Sequence, residues 1–309
     1  MLKYIIVLLK DKSASVCHYR VSNRSNNELL SLENLKKAIS FGLKQNLLFQ
    51  FVLPIETLPD EYYEIMDEVE GVYYTPITNP EFKVQGCVKL ELDKNNPSTK
   101  KIILFPLSLK ASFDNSEDNV KKLIKSGYQI SIILKDIETA SASDLERYSE
   151  FLKNMVSFLT NFDFSHEESP LNIITDRIHL RTMNNCDAGV SSITFAPDGK
   201  FYLCPAFYYD GDSPLDVDND GLIIPNHHLL KIGNAPICSH CDAFQCHRCI
   251  YLNKKGTREV NTPTRNQCLI AHLERNASRL LASNLKWIDG EERIPKLSYL
   301  DPFELLQRK

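Results

Sequence analysis

Seven of the nine cysteines in this 309-residue chain fall between Cys186 and Cys268. They run C-x12-G-x4-C through Cys186, Gly199 and Cys204, then C-x2-C-x4-C-x2-C through Cys238, Cys241, Cys246 and Cys249, with Cys268 after a further gap. Thiols two residues apart on a short loop can turn toward one ion or cluster, so the pattern suits metal–thiolate chemistry. Iron-sulfur and zinc both satisfy it. A tetrahedral zinc needs only paired cysteines on turns, and His240 or His247 could supply a missing donor.

Other chemistry-bearing residues are weaker signals. Cys17 and His18 are candidate catalytic residues, since a Cys/His pair can make a nucleophile, yet neighbours on an extended chain point to opposite sides. A packed cysteine beside a solvated histidine is the plainer reading. Cys87 has no partner pattern and reads as structural. Asp216, Asp218, Asp220 and Gly221 begin like a calcium loop, but the twelfth position is His227 rather than a bidentate glutamate, which favours a solvated acidic loop. Lys254, Lys255, Arg258, Arg265, Arg275 and Arg279 could meet an acidic peptide, form a solvated face, or offset the charge of a thiolate cluster.

Composition is that of an ordinary water-soluble chain, 43% hydrophobic and 25% charged, and a net charge of −4 gives no general attraction for nucleic acid. The apolar run at 4–9 is too short to span a membrane and no small-residue cleavage site follows it. These features predict a cytoplasmic protein with neither membrane nor nucleic-acid partner. In that reducing compartment the cysteines are expected to bind metal rather than pair as disulfides.

The elements that must position these residues alternate up to about residue 180. Strands are predicted at 4–9, 47–54, 72–76, 102–107, 128–134 and 171–175, as parallel strands with crossover helices. Ser31 is expected to cap a helix burying Leu35, Ala38, Ile39 and Leu43. A helix near 119–125 stops at Gly127, and Ser143 with Glu146 makes a capping box for a helix presenting Leu145, Tyr148, Leu152, Met155 and Leu159. A loop is expected at 165–169. Six β/α units fall short of a closed barrel, so the fold class expected is α/β, an open partial barrel, followed by a small cysteine-rich domain. In the latter, Pro197-Asp198-Gly199 predicts a hairpin ending at Cys204, and 269–287 a closing helix.

Partial barrel, linker helix and cysteine order together resemble a radical-SAM/SPASM maturase. Within that superfamily the chain resembles the CXXX repeat peptide maturases, which accompany a radical-SAM enzyme acting on peptides with repeated Cys-Xaa-Xaa-Xaa units. The stretches that carry this are Val16-Cys17-His18-Tyr19, Met183-Asn184-Asn185-Cys186, the run from Gly199 to Tyr208 (GKFYLCPAFY), and the run from His272 to Arg279 (HLERNASR). The central cysteine run is one residue shorter than the SPASM pattern in each of its last two gaps.

The resemblance implies a radical-SAM-type (β/α)6 partial barrel over 1–180, a SPASM-like cluster domain with closing helix over 181–290, and a tail at 291–309. It implies one or two iron-sulfur clusters, of 4Fe-4S type, with zinc the alternative. Cys238, Cys241, Cys246 and Cys268 would share one cluster; Cys186, Cys204 and Cys249 would share the other. That second set is one thiolate short, and Ser192 stands where some SPASM proteins have a fourth cysteine, which leaves an open iron or another ligand. The first loop has Cys17 alone, whereas cleavage of S-adenosylmethionine needs a C-x3-C-x2-C loop, so that cofactor is not expected. The partners implied are a precursor peptide with Cys-Xaa-Xaa-Xaa repeats and a radical-SAM maturase.

Overall fold

The computed structural model describes residues 2–13, 15–18, 28–78, 86–91, 101–165, 168–218 and 221–285. In chain order the elements are β1 (Tyr4–Leu8), α1 (Leu32–Lys44), β2 (Leu48–Val52), α2 (Asp60–Met66), β3 (Gly71–Pro76), β4 (Val88–Glu91), β5 (Ile102–Ser108), α3 (Asp114–Lys125), β6 (Gln129–Lys135) and α4 (Ala142–Thr160). There follow α5 (Arg177–His179), β7 (Ser192–Phe195), β8 (Phe201–Tyr202), α6 (Pro205–Tyr209), β9 (Asp216–Asp218), β10 (Gly221–Ile223), α7 (His227–Leu230), α8 (Ile250–Thr257) and α9 (Arg265–Asn284). By contact the chain divides into two compact units, one drawn from Met1–Pro106 and Asp187–Lys231, the other from Leu107–Cys186 and Ile232–Lys309. This is a different partition from a division by role at residue 180. The expected tail at 291–309 and the last residues of the closing helix lie outside the described residues.

In the first unit an open, mixed sheet runs in the order β5-β4-β3-β2-β1-β7-β8. β1, β2, β3 and β7 are parallel neighbours; β4 is antiparallel to both β3 and β5. β4 breaks the expected β/α alternation, and only four residues of polar-apolar pattern announce it. The hairpin predicted around Pro197-Asp198-Gly199 is present, with Gly199 at φ 73°, a left-handed position that suits glycine. Through β7 it joins the main sheet beside β1 instead of standing apart.

The core of this unit gathers Ile5, Val7, Leu35, Ala38, Phe49, Phe51, Tyr73, Ile193 and Phe195 between sheet and α1. Ser31 caps α1 as expected, its hydroxyl accepting from the Asn34 amide. Leu43, expected inside, is 60% exposed. Gly42 faces inward instead, at the i+7 position from Leu35, because the Phe49 ring sits where a Cβ would come within 2.4 Å.

In the second unit α4 packs on α9, with Tyr148, Phe151, Leu152, Met155 and Leu159 buried and Phe113, Tyr148 and Phe151 in mutual ring contact. α3 ends at Lys125, with Gly127 in the left-handed region as its sequence predicts. The capping box of α4 is Ser141 with Asp144, two residues earlier than Ser143 with Glu146; Ser141 accepts from the Asp144 amide and its own amide donates to the Asp144 carboxylate.

The strand expected at 171–175 is a correction. Leu171 makes one parallel bridge to Ile130, and Asn172–Asp176 then winds into a wide π-type turn. Two side chains take over the hydrogen bonds a strand would make. The Asn172 amide oxygen accepts from Ile132 N at 2.8 Å, and Thr175 Oγ1 both accepts from Leu171 N at 3.0 Å and donates to Leu171 O at 2.7 Å. Among the described residues no sheet closes into a barrel.

Candidate metal centre

The cysteine run lies on α9 in the second unit, and its sequence explains why it makes a loop. Residues 238–240 form a single 3-10 turn, Cys241 leaves it extended, and Cys249 stands at the N-cap of α8. Thr264 opens α9 through a capping box with Gln267. Two backbone bonds pin the preceding segment to the run, Asn184 N to Phe244 O at 2.7 Å and Cys186 N to His247 O at 3.1 Å. Cys186 is thereby carried alongside the residues that lead to Cys249.

Side chains of α9 hold the loop from below. Arg275 Nη1 reaches Asp242 Oδ1 at 2.6 Å, both side chains almost wholly buried. Gln245 Nε2 donates to Ala271 O at 2.7 Å and approaches Glu274 Oε2 at 3.4 Å, while Tyr148 OH donates to Glu274 Oε1 at 2.7 Å. Ser278 Oγ donates to Ile174 O at 2.5 Å, which ties α9 to the π-type turn. From α5, Arg177 Nε donates to Asp242 O at 2.7 Å and its guanidinium stacks 4.3 Å from the centre of the Phe244 ring.

Around this platform the sulfurs receive N–H donors. Ala243 N donates to Cys241 Sγ and Arg248 N to Cys246 Sγ, each at 3.4 Å, and His272 Nε2 lies 3.7 Å from Cys241 Sγ. In both backbone cases the donor is two residues after the cysteine, a geometry that favours a charged sulfur. Burial opposes that charge. It pushes the Cys238 thiol up to about 11 and raises Cys241 and Cys246 as well; negative charge on Cys238 and Cys241 adds to the rise at Cys246. Cys238, Cys241 and Cys246 thus lie within electrostatic reach of one another.

Charge decides whether this environment fits a thiolate-bound metal. Arg177, Arg248 and Arg275 are buried here, and the buried carboxyls of the loop and platform are Asp242 and Glu274. Burial holds Glu274 protonated up to about 7, its bonds from Tyr148 and Gln245 offsetting only part of the cost. Three buried guanidiniums thus outnumber these two carboxyls, one of which burial holds protonated, and anionic sulfur ligands would complement the excess. The charge of these surroundings suits anionic sulfur, but the placement of the donors does not by itself make a metal site. Among the described residues no three His, Cys, Asp or Glu side chains converge as an ion-binding group.

The remaining predicted residues are distributed as follows. Cys268 is part-buried on α9, one turn before His272. Cys204 is buried at the N-cap of α6 and belongs to the first unit, apart in that partition from Cys186 and Cys249. Cys17 and His18, also in the first unit, follow the carboxyl end of β1, and Ser15 Oγ donates to Cys17 O at 2.8 Å. Just before them the buried Asp11 accepts from Glu28 N at 2.9 Å and from Tyr208 OH, so α6 is tied to the start of the Cys17 loop. Cys87 is buried, its thiol pushed up to about 12 by desolvation. Asp216 and Asp218 are exposed on β9, and Asp220 lies outside the described residues.

Of the readings open for the basic residues, burial of Arg275 against Asp242 removes the solvated face for that residue. Spacing gave no role to Arg177, Asp242, Gln245, His272 or Glu274, although His272 and Glu274 fall within the run that carries the resemblance. A signal existed on α9: Glu274, Arg275 and Ser278 fall on the same stripe as Ile270, Ala271, Ala277 and Leu281, so polar groups sit where the period demands apolar ones.

No protein-family model matches the chain, and no curated protein matches it. Among solved structures, Streptococcus suis SuiB is similar at 13% identity and a TM-score of 0.35, over 70% of this chain and 63% of that one. SuiB bound to S-adenosylmethionine gives 10% identity and a TM-score of 0.39 over 87% and 75% of the two chains. SuiB bound to the precursor peptide SuiA gives 11% and 0.34, over 70% and 62%. The chain thus spans about 63% of the length of the first of these, and likeness at such scores carries no argument about function.

Proposed function

We propose that the chain is an accessory protein in the maturation of a ribosomally made, cysteine-repeat peptide, of the CXXX repeat peptide maturase kind. In this reading residues 1–180 are a radical-SAM-type scaffold, a partial barrel in kind, that does not cleave S-adenosylmethionine. Residues 181–290 are a SPASM-like segment holding one or two iron-sulfur clusters. The partners are the precursor peptide and a radical-SAM maturase, met in the cytoplasm.

The observation that supports it best is the seating of the C-x2-C-x4-C run on buried arginines, with N–H groups directed at two of its sulfurs. Cys238, Cys241, Cys246 and Cys268 would hold one group, and Cys186, Cys204 and Cys249 the other. An iron-sulfur group, when bound, supplies electron transfer and, at an open iron, a place for a substrate thiolate.

The test is purification without oxygen, followed by iron, sulfide and zinc analysis and a pull-down with precursor peptide and radical-SAM partner. Brown protein with matching iron and sulfide that captures either partner supports the reading. Colourless protein with stoichiometric zinc would make the segment a structural staple of a peptide-binding module. Failure to capture either partner would remove the accessory role.

A second reading is that the protein itself modifies peptide cysteines through Cys17 or an open iron. Its support is the place of Cys17 and His18 after the carboxyl end of a parallel strand, where α/β folds gather functional groups. It predicts a product mass shift with this protein alone, lost in Cys17→Ser without change in metal content.

A further inference from the structure

Two arginines of the second unit carry guanidinium groups that are given no carboxylate among the described residues. Arg177, on α5, is 3% exposed. Its Nε donates to Asp242 O at 2.7 Å and its plane lies 4.3 Å from the centre of the Phe244 ring, while Nη1 and Nη2 find no acceptor among the described residues. The adjacent Asp176 accepts from Ser169 Oγ instead, and the carboxylate of Asp242 pairs with Arg275. Arg279, part-buried one turn after Arg275 on α9, makes neither hydrogen bond nor ion pair among the described residues.

The packing of the unit brings these groups to one place. Arg177 and Arg275 meet at Asp242, one on its carbonyl and the other on its carboxylate. Arg275 and Arg279 stand four residues apart and share a face of α9, and Ser278 fastens that stretch to Ile174, just before Arg177. Burial works against the charge on Arg177; Asp242 and Cys241 offset part of this, and Arg279 and Arg275 add to it. A desolvated guanidinium without a counter-ion is costly, and its planar fork matches two oxygens of a carboxylate or phosphate. We propose that Arg177 and Arg279 form a binding site for an external oxyanion, a carboxylate or phosphate group, with the Nη atoms of Arg177 and the guanidinium of Arg279 as its donors. The Phe244 ring and Asp242 O hold the Arg177 fork before the ligand arrives, which lowers the entropy cost of binding.

The site needs no metal, so it stands apart from the accessory role proposed above. To test it, the full-length protein is titrated with sodium phosphate and, separately, with sodium acetate, in chloride buffer of constant ionic strength, by calorimetry and by melting temperature. The expected result is saturable binding of at least one of the two anions, with a higher Tm. Its affinity should fall about tenfold or more in Arg279→Gln and by less in Arg279→Lys, which keeps the charge but not the fork. Arg258→Gln, at an exposed arginine that caps α8, should bind as the wild type does. Tighter phosphate would assign the site to phosphate ligands and tighter acetate to carboxylates. Absence of saturable binding, unchanged affinity in Arg279→Gln, or equal weakening in Arg258→Gln would each overturn the proposal. Where Arg279→Gln melts too early to titrate, Arg279→Lys carries the test, and wild-type affinity in it would overturn the proposal as well.

Discussion

At the scale of single residues, burial of charge governs the second unit. Arg275 and Asp242 form a buried ion pair 2.6 Å apart. Removing one partner of such a pair leaves an uncompensated charge and costs about 3–5 kcal/mol, whereas replacing both by apolar groups costs much less. Asp242→Ala is therefore expected to lower unfolding stability by about that amount in urea melts, and adding Arg275→Met to recover part of it. Equal stability of single and double variants would deny the pair its coupling.

Glu274 carries the pH dependence. Its carboxyl is raised from 4.5 to about 7, chiefly by burial. Since the folded value lies above the unfolded one, its contribution is intact below pH 4.5 and is lost as pH rises through about 7. The stake is about 3 kcal/mol, from the shift and the free energy of one pH unit. Melts of the metal-free wild type against Glu274→Gln between pH 4 and 8 should show the wild type losing stability across this window and the variant not. Parallel curves would place the titrating group elsewhere.

At the scale of elements, most of the regular structure was legible because it rests on local rules. The apolar runs at 4–9, 47–54 and 128–134 became β1, β2 and β6, and the cap at Ser31 and the stop at Gly127 are present. The failure at 171–175 is instructive. Leu-Asn-Ile-Ile-Thr carries a strand's composition, but Asn172 and Thr175 bring side-chain donors and acceptors that satisfy the backbone without a ladder. Asn172→Ala is expected to leave Ile132 N buried without that acceptor, at a cost of about 1–3 kcal/mol, with faster hydrogen exchange at Ile132. Unchanged exchange there would mean another group takes over the bond.

At the scale of the whole molecule, the cysteines fall into distinct environments. Cys246 sits on the platform with an amide donating to its sulfur, whereas Cys87 is buried beside β4; burial raises both thiols, that of Cys87 to about 12. Metal analysis should therefore find Cys246→Ser depleted and Cys87→Ser at the wild-type level. In the native protein Cys87 should also resist alkylation at pH 8, because little thiolate forms. Depletion in Cys87→Ser would give that residue a role the fold does not suggest. Among the described residues, no helix is long and apolar enough to cross a membrane.

The sequence by itself determined the cysteine spacing, the cap at Ser31, most of the strand runs and the hairpin at Gly199, because each is written in residues a few positions apart. Only the tertiary structure decided that β7 lies beside β1, that an antiparallel β4 enters the sheet, and that Cys204 groups with the first unit while Cys186 and Cys249 group with the second. It also decided that Arg177, Asp242, Gln245 and Glu274 form a buried platform. Spacing along the chain cannot announce such a platform. Arg177 and Asp242 are 65 residues apart and Tyr148 and Glu274 are 126, and what joins them is the cost of leaving a buried charge or hydrogen-bonding group without a partner.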